Sequence, residues 1–389
     1  MPWAQTDPMS ERVRFIKCLR QYKSTFRSYC ALFGVAPKTG YKWLHQFENA
    51  GLAGLRERSR RPKGNSRAMS AGVAERLVKL RLDHPNWGPR KLVAYLEARE
   101  RGWDVPAPST VGELLKCQDL VVSRKRLRQQ HPRSEPLRHA DRPNAVWAMD
   151  FKGWFRLGDG TRCDPLTITD AFSRYLLCCQ AGTAVGNRVA KDVWAALVRV
   201  FREYGIPDAI RVDNGQPWAA PKGDLGITTL AVKIMKIRVA LERIEPGKPQ
   251  QNGRHERFHL TLQQETARPP ATDMQAQQRR FDAFQHEYNE ERPHEALQQR
   301  PPGETYVSSR RAFPSRLEEP DYPPWYEVHR PWKGGHLIFH DSNYFISEAL
   351  GGERVGFVEV EEDCFEVYFG TLLLGRIHTA YPELGLIAA

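Results

Sequence analysis

No apolar run in this 389-residue chain approaches the ~20 residues that a membrane-spanning helix requires. Its first residues, Met1-Pro2-Trp3-Ala4-Gln5, lack the basic and then apolar succession of a secretory leader. Both absences predict a protein of the cytoplasm with no membrane partner. Cysteine is sparse and unpaired: Cys18, Cys30, Cys117, Cys163, Cys178, Cys179 and Cys364 contain no CxxC, and their number is odd. That pattern argues against a disulfide scaffold or a zinc site and reads as small buried hydrophobes. Wholesale disorder is excluded too, because 41% apolar residues and 10% aromatics are enough to build cores. A chain of this length calls for two to four domains.

What the chain has in excess is positive charge, unevenly spread. Its net charge is +12, yet residues 1–140 carry 28 Lys+Arg against 12 Asp+Glu, while residues 141–389 carry 30 against 34. A front third this basic predicts a polyanionic partner, since each Lys or Arg that neutralises a phosphate releases a counterion.

Apolar spacing predicts three short helices over residues 11–50, with Val13, Ile16 and Leu19 on the first. Ser24 is the expected cap of the second, which carries Tyr29, Leu32 and Phe33 and stops at Gly34. A third opens at Pro37 with Tyr41, Leu44 and Phe47 inward, leaving Lys38, Thr39, Lys42, Trp43, His45 and Gln46 outward. This is the helix-turn-helix plan, whose later helix enters the major groove; an ordinary three-helix bundle has the same pattern. Arg58, Arg60, Arg61 and Lys63 follow in a basic linker suited to a phosphate backbone or minor groove. A second helical unit spans residues 70–122, and a second basic linker holds Arg124, Lys125, Arg126 and Arg128. From residue 145 the texture turns to strands at Ala145–Leu157, Arg162–Thr169 and Arg174–Gln180, a long helix near Asn187–Tyr204, and a short strand at Ala209–Val212. Five short strands in the last 55 or so residues suggest a small barrel.

Phosphodiester exchange is an in-line displacement at phosphorus, which two divalent ions held by converging carboxylates can promote. Three acids fit that need. Asp150 lies mid-strand in Trp147-Ala148-Met149-Asp150-Phe151, where an uncompensated charge is costly. Asp213 sits at the carboxyl end of a strand, before Asn214-Gly215. Glu256 falls in the first turns of a helix and points away from Phe258 and Leu262. Rivals are set aside on chemistry. Asp170 suits a turn, Asp159 and Asp164 border a hairpin, and Glu265 lies about 180° around the helix from Glu256.

Taken together, Trp147–Lys152, Val212–Gly215, Gln251–Phe258 and Tyr288–Leu297 resemble the catalytic core of the DDE transposase and retroviral-type integrase superfamily. Trp87–Lys91 and Val367–Gly370 look most like bacterial insertion-sequence transposases of the IS481 type. The resemblance implies an RNase H-like fold, Asp150, Asp213 and Glu256 as catalytic metal ligands, and two Mg2+ or Mn2+ ions. It implies terminal inverted repeats and target DNA as substrates, with cleavage at the 3′ end followed by strand transfer. One departure stands out: the 43 positions from Asp213 to Glu256 exceed the usual retroviral spacing, and residues 217–237 read as an extension. Lys248 and Arg254 are candidates for holding flanking phosphates.

The expected organisation is a helix-turn-helix domain at 1–55, a linker at 56–69, a second helical DNA-binding domain at 70–122 and a linker at 123–144. An RNase H-like α/β core at 145–310, a linker at 311–324 and an SH3-like β-barrel at 325–389 complete it. Pairing two element ends calls for at least two protomers, at work on nucleoid DNA. Two other functions share these features: a helix-turn-helix regulator with a degenerate core, and an RNase H-fold nuclease that cuts without joining.

Overall fold

A computed structural model describes residues 7–21, 23–57, 69–100, 102–121, 140–185, 189–220, 225–245 and 253–388. The chain forms two compact units, Met1–Ala68 and Met69–Ala389.

The first unit holds helices α1 (Pro8–Gln21), α2 (Phe26–Leu32) and α3 (Pro37–Gly54) around Phe15, Ile16, Tyr29, Cys30, Val35 and Trp43. Thr25, not Ser24, caps α2, its hydroxyl accepting from the Ser28 amide at 3.3 Å. Gly34 ends that helix at φ +62°, and Pro37 opens α3 at its first turn. The inward face of α3 differs from the expected one. Gly40 lies inward, where a Cβ would meet the Cys30 sulfur at 2.7 Å. This close approach turns Trp43 into the core, 4% exposed with the Arg12 guanidinium 3.8 Å above its ring. Trp43 is therefore unavailable to DNA. Tyr41 instead lies outside, stacked on Phe26 at 3.9 Å. Lys38, Lys42 and His45 are exposed and Thr39 half-buried. Arg58, Arg60, Arg61, Lys63, Arg124, Lys125, Arg126, Arg128 and Lys248 lie outside the described residues.

The second unit opens with α4 (Ala71–Asp83), α5 (Pro89–Arg99) and α6 (Pro108–Cys117). Leu77, Leu80, Trp87, Leu92, Leu96, Val111 and Leu115 make their own core. Arg81 locks it, donating to the carbonyls of Trp87 at 2.6 Å and Leu120 at 2.9 Å.

Then come β1 (Val146–Phe151), β2 (Phe155–Arg156), β3 (Arg162–Cys163), β4 (Leu166–Asp170), β5 (Leu176–Gln180), α7 (Val189–Tyr204) and β6 (Ala209–Val212). α8 (Thr229–Lys236), β7 (Ala240–Arg243), α9 (Gly253–Thr266) and α10 (Met274–Glu290) complete the core. The main sheet runs β5-β4-β1-β6-β7, with β4 antiparallel to β1 and β5, and with β1, β6 and β7 mutually parallel. An antiparallel trio, β1, β4 and β5, followed by two parallel additions, β6 and β7, is the RNase H-like order. The first two expected strands each break in two: the backbone turns at Gly153 (φ +86°), and β2 and β3 form a separate hairpin. Residues 217–237 are not an ornament. They contain α8, and parallel strands such as β6 and β7 need that kind of crossover.

Alternation along β1 divides the sheet. Trp147 and Met149 join Ile168, Ile210, Val212 and residues of α7 and α8 in a dry core. The opposite face carries Ala148 and Asp150, with Thr169 and Thr167 as their partners on β4. Against that face pack α9 and α10 through Phe258, Leu262, Phe281, Phe284 and Tyr288. Asn289 pins α10 to the start of β5, exchanging 2.8 and 2.9 Å hydrogen bonds with the Leu176 backbone.

The C-terminal region is all sheet. Strands β8 (Glu327–His329), β9 (His336–Phe339), β10 (Ser342–Phe345), β11 (Val355–Glu361), β12 (Cys364–Phe369), β13 (Leu372–His378) and β14 (Ile387–Ala388) follow in order. They form a five-stranded sheet, β14-β13-β12-β11-β8, and a β9–β10 hairpin over one core that includes Phe339, Tyr344, Phe357, Val367 and Ile377. Among the described residues no helix is long and apolar enough to cross a membrane.

Candidate active site

The site grows out of strand register. β1 and β6 are parallel, with Val146 beside Ala209 and Ala148 beside Arg211. Continuing the same offset two residues brings Asp213 alongside Asp150, on the face away from the dry core. Asp213 lies just past β6, in a turn its own side chain closes: its carboxylate accepts from the Gly215 amide at 3.0 Å. A Cβ at Gly215 would meet that carboxylate at 3.2 Å. Asn214 contributes to the same turn, donating to the Ile244 carbonyl at 2.5 Å.

Glu256 arrives from a different element. It is exposed in the first turn of α9, and the residue beside it anchors that turn. His255 is buried, its Nε2 2.8 Å from the Thr167 hydroxyl and its Nδ1 2.9 Å from that of Thr169. The Thr167 hydroxyl donates to the Asp150 carbonyl at 3.1 Å, so it accepts from Nε2 of His255 and from Nε2 of His259. Nδ1 of His255 then accepts the Thr169 proton, which defines a neutral imidazole. Burial, and then the neighbouring His259, hold its pKa well below the ordinary value. Burial and Lys152 likewise lower His259 to about 3. Buried and neutral, His255 positions α9 and cannot contact DNA.

Asp150 senses the other two acids. Asp150 has its pKa pushed up to about 7, first by burial, then by the charges of Asp213 and Glu256. Among the described residues no group of three His, Cys, Asp or Glu side chains is arranged to hold a metal ion. The donor set nonetheless has the chemistry of a hard-cation site: carboxylates from three separate elements whose mutual repulsion a divalent cation would relieve.

The rival acids are occupied elsewhere. Asp170 is buried and accepts from the Asn144 amide at 2.8 Å and from the Ser173 amide and hydroxyl at 2.7 and 2.6 Å. Glu265 pairs with Arg292 at 2.5 Å. Asp164 is clasped by Arg162 at 2.7 and 2.9 Å. Arg254 is exposed near Ala171, and with Arg174 and Arg211 it lines a small cavity over Ala148 and Thr169. Neither Thr167 nor Thr169 stood out in the sequence. The signal was there in Leu166-Thr-Ile-Thr-Asp170, an alternation that makes one face of β4 polar.

Comparison with known proteins gives the family. A family model described as integrase core domain matches residues 140–249, and another of the same description matches residues 237–302. A helix-turn-helix domain model matches residues 11–63, and a homeodomain-like domain model residues 39–115. The insertion element IS407 uncharacterized 31.7 kDa protein of Burkholderia multivorans is 30% identical over 243 residues, 60% of this chain and 79% of that protein. Among solved structures, the simian T-cell lymphotropic virus intasome in complex with PP2A regulatory subunit B56 gamma is 16% identical. It covers 76% of this chain and 97% of the matched chain, at a TM-score of 0.37. The HTLV-2 integrase catalytic core domain in complex with magnesium is 11% identical, covering 43% and 99%, at 0.31. The chain belongs to the insertion-sequence DDE transposases, within the polynucleotidyl transferase superfamily that shares the integrase core.

Proposed function

We propose that this chain binds the terminal inverted repeats of its own mobile element, cleaves the 3′ ends and joins them to target DNA. What supports this reading is the β1–β6 register, whose offset carries Asp213 alongside Asp150, with Glu256 in the first turn of α9 and its charge among those that raise the Asp150 pKa. Asp150, Asp213 and Glu256 are the residues that would hold two divalent cations, Mg2+ or Mn2+. Such ions supply activation of the attacking oxygen and stabilisation of the leaving one. The chain's own work is positional. β1 and the turn after β6 set two carboxylates side by side, and the His255–Thr167–Thr169 network aims the start of α9 at them. No covalent protein–DNA intermediate is part of this scheme, because the nucleophiles are water and a DNA 3′-hydroxyl.

Lys38, Thr39, Lys42 and His45 on α3 are assigned to the DNA groove, and Arg254 to a phosphate near the site. Residues 145–310 act as the catalytic core and 325–389 as an SH3-like accessory barrel, on an IS481-type plan. At least two protomers bridge the paired ends on the nucleoid; light scattering that found one protomer per two ends would sink that stoichiometry.

The test is strand transfer with preprocessed ends, plasmid and Mg2+. Wild type is expected to yield joined product. Asp150→Asn, Asp213→Asn and Glu256→Gln should bind DNA normally and yield background levels. Full activity in Asp213→Asn would refute the site, and hydrolysis without joining would assign a cleavage-only nuclease.

A further inference from the structure

The β2–β3 hairpin carries a feature that the proposed chemistry does not use. Its two faces are unlike. Phe155, Leu157 and Cys163 turn inward onto the Phe258–Phe284 core. Trp154, Arg156 and Arg162 turn outward. Trp154 is 55% exposed, with the Arg162 guanidinium 5.2 Å and that of Arg156 5.9 Å from its ring centre.

Arg156 and Arg162 are direct cross-strand partners. Like charges in that position destabilise a hairpin. Asp164 neutralises Arg162 through two hydrogen bonds of 2.7 and 2.9 Å. Arg156 donates only to the Gly160 carbonyl, at 3.0 Å, and has no carboxylate partner among the described residues. The hairpin cannot relax away from this arrangement, because its tip is held from behind: the amides of Gly158 and Asp159 donate to the carbonyls of Ala271 and Thr272, both at 2.8 Å. A Cβ at Gly158 would come within 3.1 Å of the Thr272 backbone.

A rigid, exposed indole beside an uncompensated guanidinium matches one ligand chemistry: a flat π-face next to a phosphate. Bases inside a duplex are already stacked on each other, so only an unpaired base can lie on this ring. Chain reach bounds the backbone distance from the acids. Four residues span at most about 14 Å, so Trp154 cannot lie farther than that from Asp150 along the backbone.

We propose that Trp154 is a stacking platform for an unpaired nucleobase of the DNA substrate, with Arg156 on its phosphate. This rests on the DNA-transposase reading and adds a prediction to it: the enzyme holds DNA that is locally unpaired beside the carboxylates.

The test uses the full chain and two probes, a blunt 30-base-pair duplex and the same duplex ending in a six-nucleotide unpaired flap that contains 2-aminopurine. Wild type should bind the flapped probe the more tightly and quench its fluorescence. Trp154→Ala should lose roughly tenfold in affinity for the flap, with the quenching, and keep its affinity for the blunt duplex. Trp154→Phe should retain most of both. Arg156→Gln should lower the salt dependence of flap binding by roughly 0.7 in logarithmic slope. Equal losses on both probes, or none, would overturn the platform. So would unchanged DNA binding accompanied by an altered oligomeric state, which would make Trp154 a protein contact. Wild type binding neither probe would instead strike at the DNA-binding reading beneath it.

Discussion

The two faces of the central sheet are built from the same strands and yet follow opposite rules. On the face covered by α7 and α8, Trp147, Met149, Ile168, Ile210 and Val212 are all buried and apolar. On the other, Asp150, Thr167, Thr169 and Arg211 alternate with them, and α9 docks there through its own His255 as well as through Phe258. The dry face holds the sheet together. The polar face accepts a standing electrostatic cost, since Asp150 is crowded by burial and by two like charges. Such sites are retained for chemistry rather than for stability.

Truncating the dry face should cost most. Trp147→Ala is expected to destabilise by about 3–5 kcal/mol, read as a lower urea midpoint. A loss under ~1 kcal/mol would mean that the sheet does not depend on that core.

Asp150→Asn should act in the reverse direction. The folded pKa of about 7 lies above the ordinary 3.8, so the folded chain retains a proton that the unfolded chain releases. Stability on this account is full below about pH 4 and drains as pH rises through about 7. In EDTA the variant should therefore exceed wild type at about pH 8, by no more than about 4 kcal/mol, and the advantage should vanish near pH 4. A variant less stable than wild type at about pH 8 would contradict the electrostatic cost.

Thr169→Val tests the network that orients α9. It leaves Nδ1 of buried His255 without its partner, for an expected loss of about 1–3 kcal/mol and reduced activity. Thr169→Ser should restore both. Trp154→Ala lies outside either core and should shift stability by less than about 0.5 kcal/mol. A larger change would mean that the hairpin's outer face is structural.

Legibility followed locality. Pro37 opens a helix where the sequence places one and Gly34 stops one, and Pro89 and Pro108 open helices within the expected helical unit at 70–122. What misled was phase. Trp43 looked outward because Tyr41, Leu44 and Phe47 form a plausible stripe; Gly40's contact with Cys30 rotates the helix so that Trp43 is inward. The long expected strands from residue 145 broke because alternation does not reveal a turn at Gly153. Residues 217–237 read as an insertion because nothing local says that β6 and β7 are parallel neighbours that need α8 between them. Asp150, Asp213 and Glu256 were nameable as candidates from their motifs and element ends. The fixing of α9 was not, because His255 lies 88 and 86 positions from Thr167 and Thr169.

The sequence by itself determined the basic front, the helix starts, the strand alternation and the three acids, because each of these depends on composition or on residues within a few positions of one another. Tertiary structure alone decided that one offset between β1 and β6 sets Asp150 beside Asp213, that a neutral buried histidine seats α9, and that Trp154 stands outward with two guanidiniums over its ring. Those facts depend on contacts between distant segments, whose partners are chosen by packing.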